Sequence, residues 1–282
     1  MPLIRSPQGC IHLKSNKSHC SSTAATSVSA HGKPWDGLRE PLCYLTVIGL
    51  CMSFTSYVTA NPGEVASGLA PLWQQAIVRL EVPVTRQENG FTRHFIEHCS
   101  ATVVTPGPRP ILLSAWHCFD GFSALGPPAV AYMRANDKSE LQLIKTGGSM
   151  LEDWALLTPL RAFTHSGWIP IATQGPHHDT QLVSAGYAKT SPVAGSREMA
   201  SEQRQLALDQ SCQVIQNANT PAAASSCVAK KGASGGPILG RTASGSYRIY
   251  GVISAGDETS VSYFYPSHLL LGTVRELGSS AR

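Results

Sequence analysis

After Asn61-Pro62-Gly63 the chain reads as a succession of short β-type runs cut by turn residues, and this pattern restricts the fold more than any other feature. Residues 76–82 (AIVRLEV) alternate apolar with polar and are rich in branched side chains. Runs of similar character follow at 99–104, 111–115, 129–134, 155–158, 180–186, 205–208, 238–239 and 247–254. Pro106-Gly107-Pro108, Gly126-Pro127-Pro128 and Gly147-Gly148 separate them as turns. One helix is expected, over 268–277 (HLLLGTVREL), with Ser267 as its cap. Strands do not alternate with helices, and no repeat of fixed period is present. The prediction is an all-β sandwich or barrel whose strands divide into two halves at about 164–174.

Composition supports a packed chain. Of 282 residues, 42% are hydrophobic and 14% charged, too few charges for disorder. Residues 1–60 hold five of the 22 basic and two of the 18 acidic residues, which leaves 17 and 16, a net +1, for 61–282. Lys230-Lys231 is the only basic cluster in that part, so no nucleic-acid partner is expected.

No charge falls between Glu40 and Glu64, and within that stretch 42–54 (LCYLTVIGLCMSF) is an apolar run of 13 residues. Val58-Thr59-Ala60 follows with small residues, and Arg39 precedes. This is the plan of a secretory signal, and the run is short for a membrane span. A membrane partner is expected only if the segment stays uncleaved as an anchor. A signal beginning 40 residues in is unusual, and Leu38 would be a better start. Residues 61–75 then form a propeptide or linker. Cys10, Cys20, Cys43 and Cys51 belong to the segment expected to be lost. Cys99, Cys118, Cys212 and Cys227 remain, at spacings of 19 and 15 that suit two local disulfides in a secreted or periplasmic protein.

Three stretches carry chemistry. In 112–118 (LLSAWHC) an apolar strand ends at His117 beside Cys118. In 152–157 (EDWALL) Asp153 opens an apolar strand; a buried carboxylate there could accept a histidine ring N–H and stabilise the imidazolium. In 231–239 (KGASGGPIL) Ser234 sits among glycines, and Gly232, with no Cβ, lets its N–H point inward beside that of Ser234. Each stretch alone is also explained by ordinary strand ends and a Gly-rich turn.

Together, in the order His, Asp, Ser, they resemble the chymotrypsin-like (trypsin-fold) serine peptidases. Cys99 and Cys118 around the strand before His117 fit that family, as does 251–256 (GVISAG), which starts 17 residues after Ser234. Cys227, seven residues before Ser234, resembles the compact bacterial branch that includes the glutamyl endopeptidases. The resemblance covers 76–277 and implies two packed six-stranded antiparallel β-barrels, one over 76–165 and one over 166–282. It implies Ser234 as nucleophile, His117 as general base and Asp153 as its orienter. Gly232 and Ser234 would supply the oxyanion hole, and Ser254, Ala255 and Gly256 would pair with a polypeptide substrate. No metal or organic cofactor is expected, and a monomer is.

The chain departs from the family at several positions. Ala233 stands where animal relatives carry an Asp that pairs with a new N-terminus. Val228, followed by Ala229, replaces the Asp of trypsin-type pockets, so a basic substrate side chain would find no counter-charge. Ile253 replaces the His of glutamate-specific relatives, which favours a small or apolar side chain. Other patterns compete. Gly232–x–Ser234–x–Gly236 followed by Asp257 and His268 fits an α/β-hydrolase order, though only 48 residues remain after Ser234. His94-Phe95-Ile96-Glu97-His98 fits a helical zinc pattern but runs into an expected strand. His177-His178-Asp179 reads as an exposed loop, and a binding protein with a dead site is a further alternative.

Overall fold

The computed structural model describes residues 70–134, 137–162, 167–189, 204–216 and 223–280. The signal or anchor at 42–54, the start at Leu38, the four cysteines before residue 60 and most of the stretch 61–75 lie outside them. A short helix α1 (Leu72–Gln75) leads into the first strands.

Strands β1 (Ile77–Glu88) and β2 (Phe91–Val103) form a long antiparallel ribbon, in register from Ile77↔Thr102 to Glu88↔Phe91. Asn89 and Gly90 join them with φ of 52° and 80°, the left-handed pair that a two-residue hairpin needs. Along β1 the period of two is plain: Val78, Leu80, Val82 and Val84 are buried while Arg79, Glu81 and Pro83 are half-buried. With β3 (Leu112–Ser114), β4 (Ala129–Arg134), β5 (Asp137–Thr146) and β6 (Ala155–Pro159) the ribbon closes into a six-stranded barrel, ordered β1-β2-β3-β6-β5-β4.

The second sheet has seven strands: β7 (Leu182–Lys189), β8 (Arg204–Cys212), β9 (Val214–Gln216), β10 (Ala223–Ser225), β11 (Pro237–Arg241), β12 (Tyr247–Gly256) and β13 (Ser262–Pro266). Their order is β8-β7-β11-β12-β13-β10-β9. The two edge strands are consecutive in the chain, with only Gln213 between them, so the sheet must curl on itself. It is a half-barrel where a second closed six-stranded barrel was expected. Gln213 itself exchanges bonds with Ser226, the residue after β10: its N–H donates to the Ser226 hydroxyl and its carbonyl accepts the Ser226 N–H. Both expected disulfides are present, Cys99–Cys118 and Cys212–Cys227, the second spanning this junction.

After β13 a 3-10 turn (Ser267–Leu270) leads into helix α2 (Leu271–Ser280), which starts later than the sequence suggests. Ser267 does not cap it. Its buried hydroxyl donates to the Ile249 carbonyl at 2.7 Å and ties the turn to β12. The all-β expectation, with a terminal helix, is met. Among the described residues no helix is long and apolar enough to cross a membrane.

Candidate active site

A 3-10 turn over Trp116–Phe119 follows β3 and carries His117. Its next residue, Cys118, is bonded to Cys99 on β2, which fixes the turn against the barrel. Asp153 stands just before β6 and is 1% exposed. A carboxylate so deeply buried must spend its lone pairs on donors. One oxygen accepts the His117 backbone N–H at 2.9 Å; the other meets His117 Nδ1 at 2.8 Å. The Ser254 hydroxyl donates a short bond to that second oxygen. An ionised carboxylate only accepts, so Nδ1 carries the ring proton and Nε2 is the free basic nitrogen. The ring can therefore take a proton at Nε2 while Asp153 steadies the cation.

Ser254, expected on a substrate-pairing edge, has a further contact that the sequence did not suggest: its side chain completes the Asp153 shell. Asp153 and Ser254 are 101 positions apart, and no local pattern signals such a contact.

Ser234 lies between β10 and β11 and is half-buried. The glycines around it are sterically required. Gly232 has φ +99°, and a Cβ there would meet Arg204 and the Tyr187 carbonyl. Gly235 has φ +79° and lies against the Ser100 carbonyl and the Ser114 side chain, so the loop packs on the strand that ends at His117. The Lys231 carbonyl accepts from Lys189 N–H at 3.3 Å, and the Ala233 carbonyl from Gly236 N–H at 2.8 Å. In planar trans peptides the N–H points away from the C=O. The N–H groups of Gly232 and Ser234 are thus turned from these bonds, and neither donates to a described residue. Two unspent donors flanking a serine can stabilise a developing oxyanion. The Ser234 hydroxyl makes no hydrogen bond with a described residue, and His117 Nε2 lies 3.8 Å from Cys118 Sγ.

Val228 and Ala229 are held at the backbone. Val228 N–H donates to Asp209 at 2.8 Å, and the Ser184 hydroxyl donates to the Val228 carbonyl at 3.3 Å. Ala229 N–H donates to the Ser262 hydroxyl at 3.1 Å, which donates in turn to the Cys227 carbonyl at 2.7 Å. On β12, pairing with β11 ends at Val252, whereas pairing with β13 continues to Gly256. Among the described residues, 254–256 therefore have one edge without a strand partner, and Ala255 and Gly256 are exposed.

The competing patterns come apart. His94 and His98 lie on β2, where four residues span about 13 Å, too far to share one ion. Asp257 spends its carboxylate on its own loop, chiefly the Ser260 hydroxyl and the N–H groups of 259–261, which hold its pKa far below the usual range. His268 sits on the turn before α2, and burial lowers its pKa. The antiparallel sheets give no support to an α/β-hydrolase. His177 accepts Thr180 N–H at its carbonyl, in a loop. Cys99, Cys118 and His117 cluster closely, but both sulfurs are committed to a disulfide and offer no thiolate. A groove of about 710 Å³ between 104–109, 168–173 and α2 includes none of His117, Asp153 and Ser234.

No protein-family model matches the chain, and a search of curated proteins finds no match. In structure the chain is similar to the thermostable serine protease AL20 from an extremophilic microorganism: 17% identity, 75% of this chain and 100% of that chain covered, TM-score 0.50. It is also similar to the active form of the Rv3671c protease from M. tuberculosis, with 14% identity, 73% and 82% coverage and a TM-score of 0.49. At such identity the likeness to AL20 is one of fold, and the fold is that of a trypsin-like serine protease.

Proposed function

We propose that the protein is a serine endopeptidase that cleaves polypeptides through an acyl-enzyme on Ser234. The observation that carries this reading is the His117–Asp153 pair, in which a carboxylate 1% exposed bonds one histidine at both its backbone and its ring. His117 Nε2 takes the Ser234 proton as Oγ attacks the peptide carbonyl. Negative charge passes to the carbonyl oxygen, where the N–H groups of Gly232 and Ser234 receive it. His117 then protonates the leaving amine, and water, deprotonated by the same nitrogen, releases the acid and frees Ser234.

The open edge at 254–256 supports binding of an extended substrate as an added strand, which suits cleavage within a chain. The uncharged pair Val228 and Ala229, with Ile253 beneath the edge, supports a small or apolar side chain before the cut. That choice goes against the acidic preference of the glutamyl endopeptidases, whatever the kinship around Cys227. Two disulfides suit an oxidising compartment, and we read 1–60 as the part that delivers the chain there.

The test is a fluorophosphonate probe on the purified protein with both disulfides formed, followed by intact mass and peptide mapping. Single labelling at Ser234, lost in His117→Ala and kept in His268→Ala, is the expected result. A second reading, a binding protein on this fold, is favoured by the Ser234 hydroxyl having no hydrogen bond with a described residue. Folded protein that never labels would favour it, although catalytic contacts in free enzymes often tighten only around substrate.

A further inference from the structure

We propose that Ser100 is a positioning residue that sets the oxyanion donors and ties them to the general base. This rests on the reading of Ser234 as nucleophile. Ser100 is 0% exposed and lies on β2, directly after the Cys99 half of the disulfide to Cys118. All its polar atoms are used. Its hydroxyl accepts the Tyr187 N–H at 2.8 Å and donates to the Gly232 carbonyl at 3.0 Å. Its own N–H donates to the Ser234 carbonyl at 2.8 Å, and its carbonyl accepts the Ser114 hydroxyl at 2.8 Å.

The effect follows from which peptides are held. The peptide between Gly232 and Ala233 is pinned at both ends, by Ser100 at its carbonyl and by Lys230 at the Ala233 N–H, 2.9 Å. The peptide before it, which carries the Gly232 N–H, has one long bond of 3.3 Å at its carbonyl. A glycine without Cβ allows that peptide several orientations. With the following peptide fixed, fewer values of φ and ψ at Gly232 remain, and φ +99° is the one adopted. Ser100 fixes the far side of the nucleophile as well, through the Ser234 carbonyl. One residue thus links Gly232 and Ser234, by hydrogen bonds, to Cys99, Cys118 and His117, by covalent bonds.

Alanine at 100 would fill nearly the same space but strand a partly buried N–H at Tyr187 and a buried carbonyl at Gly232. The peptide of Gly232 would then be free to turn its N–H away from the substrate.

The experiment compares Ser100→Ala, Ser114→Ala and Ser267→Ala in the full protein. Readouts are melting temperature, kcat and KM on a peptide ester, and the rate of fluorophosphonate labelling. Ser267→Ala removes one buried hydroxyl bond outside this loop. Ser100→Ala is expected to lower kcat and the labelling rate about 10–100-fold with KM within about twofold, since a misaimed oxyanion donor acts on the transition state. Ser267→Ala is expected to lower the melting temperature alone. If Ser100→Ala also loses only melting temperature, with the parent's kcat and labelling rate, Ser100 is a structural residue and the proposal fails. Should Ser100→Ala not fold, Ser114→Ala decides: a kcat a few-fold lower supports the link, and an unchanged kcat overturns it. A parent protein that does not label at Ser234 removes the peptidase reading, and this inference with it.

Discussion

The first barrel and the second sheet solve the same packing problem differently. Every strand of the barrel has a partner on both sides, and its interior is filled by large aliphatic side chains such as Leu80, Leu112, Leu113, Leu141, Leu156 and Leu157. The second sheet ends in two edges, and its own cluster relies on Ala223, Ala229, Ala233 and the Cys212–Cys227 bridge around Leu182, Ile238, Ile253 and Phe264. Buried hydroxyls serve both: Ser184, Ser225 and Ser262 each bond a carbonyl in the sheet, as Ser100 and Ser114 do in the barrel. The barrel holds His117 and Asp153 rigidly, and the sheet holds Ser234 and the exposed edge.

The largest effect expected from breaking this arrangement is catalytic. Asp153→Asn should lower kcat/KM about 10,000-fold, because an amide in place of the carboxylate selects the wrong histidine tautomer. Circular dichroism should show the fold intact; full activity in the variant would mean that the barrel does not supply the base.

Truncation in the cores should separate the two regions next. Phe264 is the fully buried ring of the sheet's cluster among the described residues, and it fits because Gly251 beneath it has no Cβ. Phe264→Ala is expected to cost about 3–5 kcal/mol. Hydrogen exchange should then rise in β12 and β13 while β1, β2 and β3 stay protected. Leu156→Ala should cost about 2–5 kcal/mol and spare β13. Equal exchange in both regions for both variants would show one cooperative unit.

Removing Cys212 and Cys227 together, both to Ala, should cost about 3 kcal/mol for a separation of 15 residues, read from urea unfolding. It should leave Ser234 labelling nearly unchanged. The Cys99–Cys118 pair should cost a similar amount of stability and also slow labelling, since His117 adjoins it.

The smallest effect concerns pH. Burial lowers the His268 pKa from 6.5, and its Nδ1 has no partner among the described residues. Below pH 6.5 the unfolded chain gains this proton more readily than the folded one, so stability falls as the pH drops through that region. His268→Gln should flatten the slope of melting temperature between pH 7 and 5; an unchanged slope would put the acid sensitivity elsewhere.

The sequence was legible where one face of a strand is buried beside local turn chemistry. The apolar cores of β1, β3, β6, β7 and β12 are readable for that reason, and the motifs of His117 and Asp153 mark two residues that the fold does bring together. β5 escaped because Asp137, Lys138, Glu140 and Lys145 face solvent and mask the inward Ser139 and Leu141. β10 escaped because Ala-Ala-Ser has little β signal of its own, and β13 because Tyr263, Phe264 and Tyr265, though strand formers, make a short run closed by Pro266; the two strands pair with each other. The outer half of the β1–β2 ribbon was missed despite Asn89-Gly90, as both faces are largely polar: Arg86, Glu88, Arg93 and Glu97 on one, Thr85, Gln87, Thr92 and His94 on the other. Ser100 and Ser254 were beyond reach because their partners are remote in the chain.

The bare edge of β12 has a consequence for handling the protein. Main-chain hydrogen bonds do not ask whose chain is being read. A second molecule that offers an extended stretch with a small apolar residue would compete there on equal terms with foreign substrate. Under the proposed activity, a concentrated sample should shorten itself at a rate that grows with the square of its concentration. Dilution, or an extended peptide inhibitor laid on that edge, should preserve it.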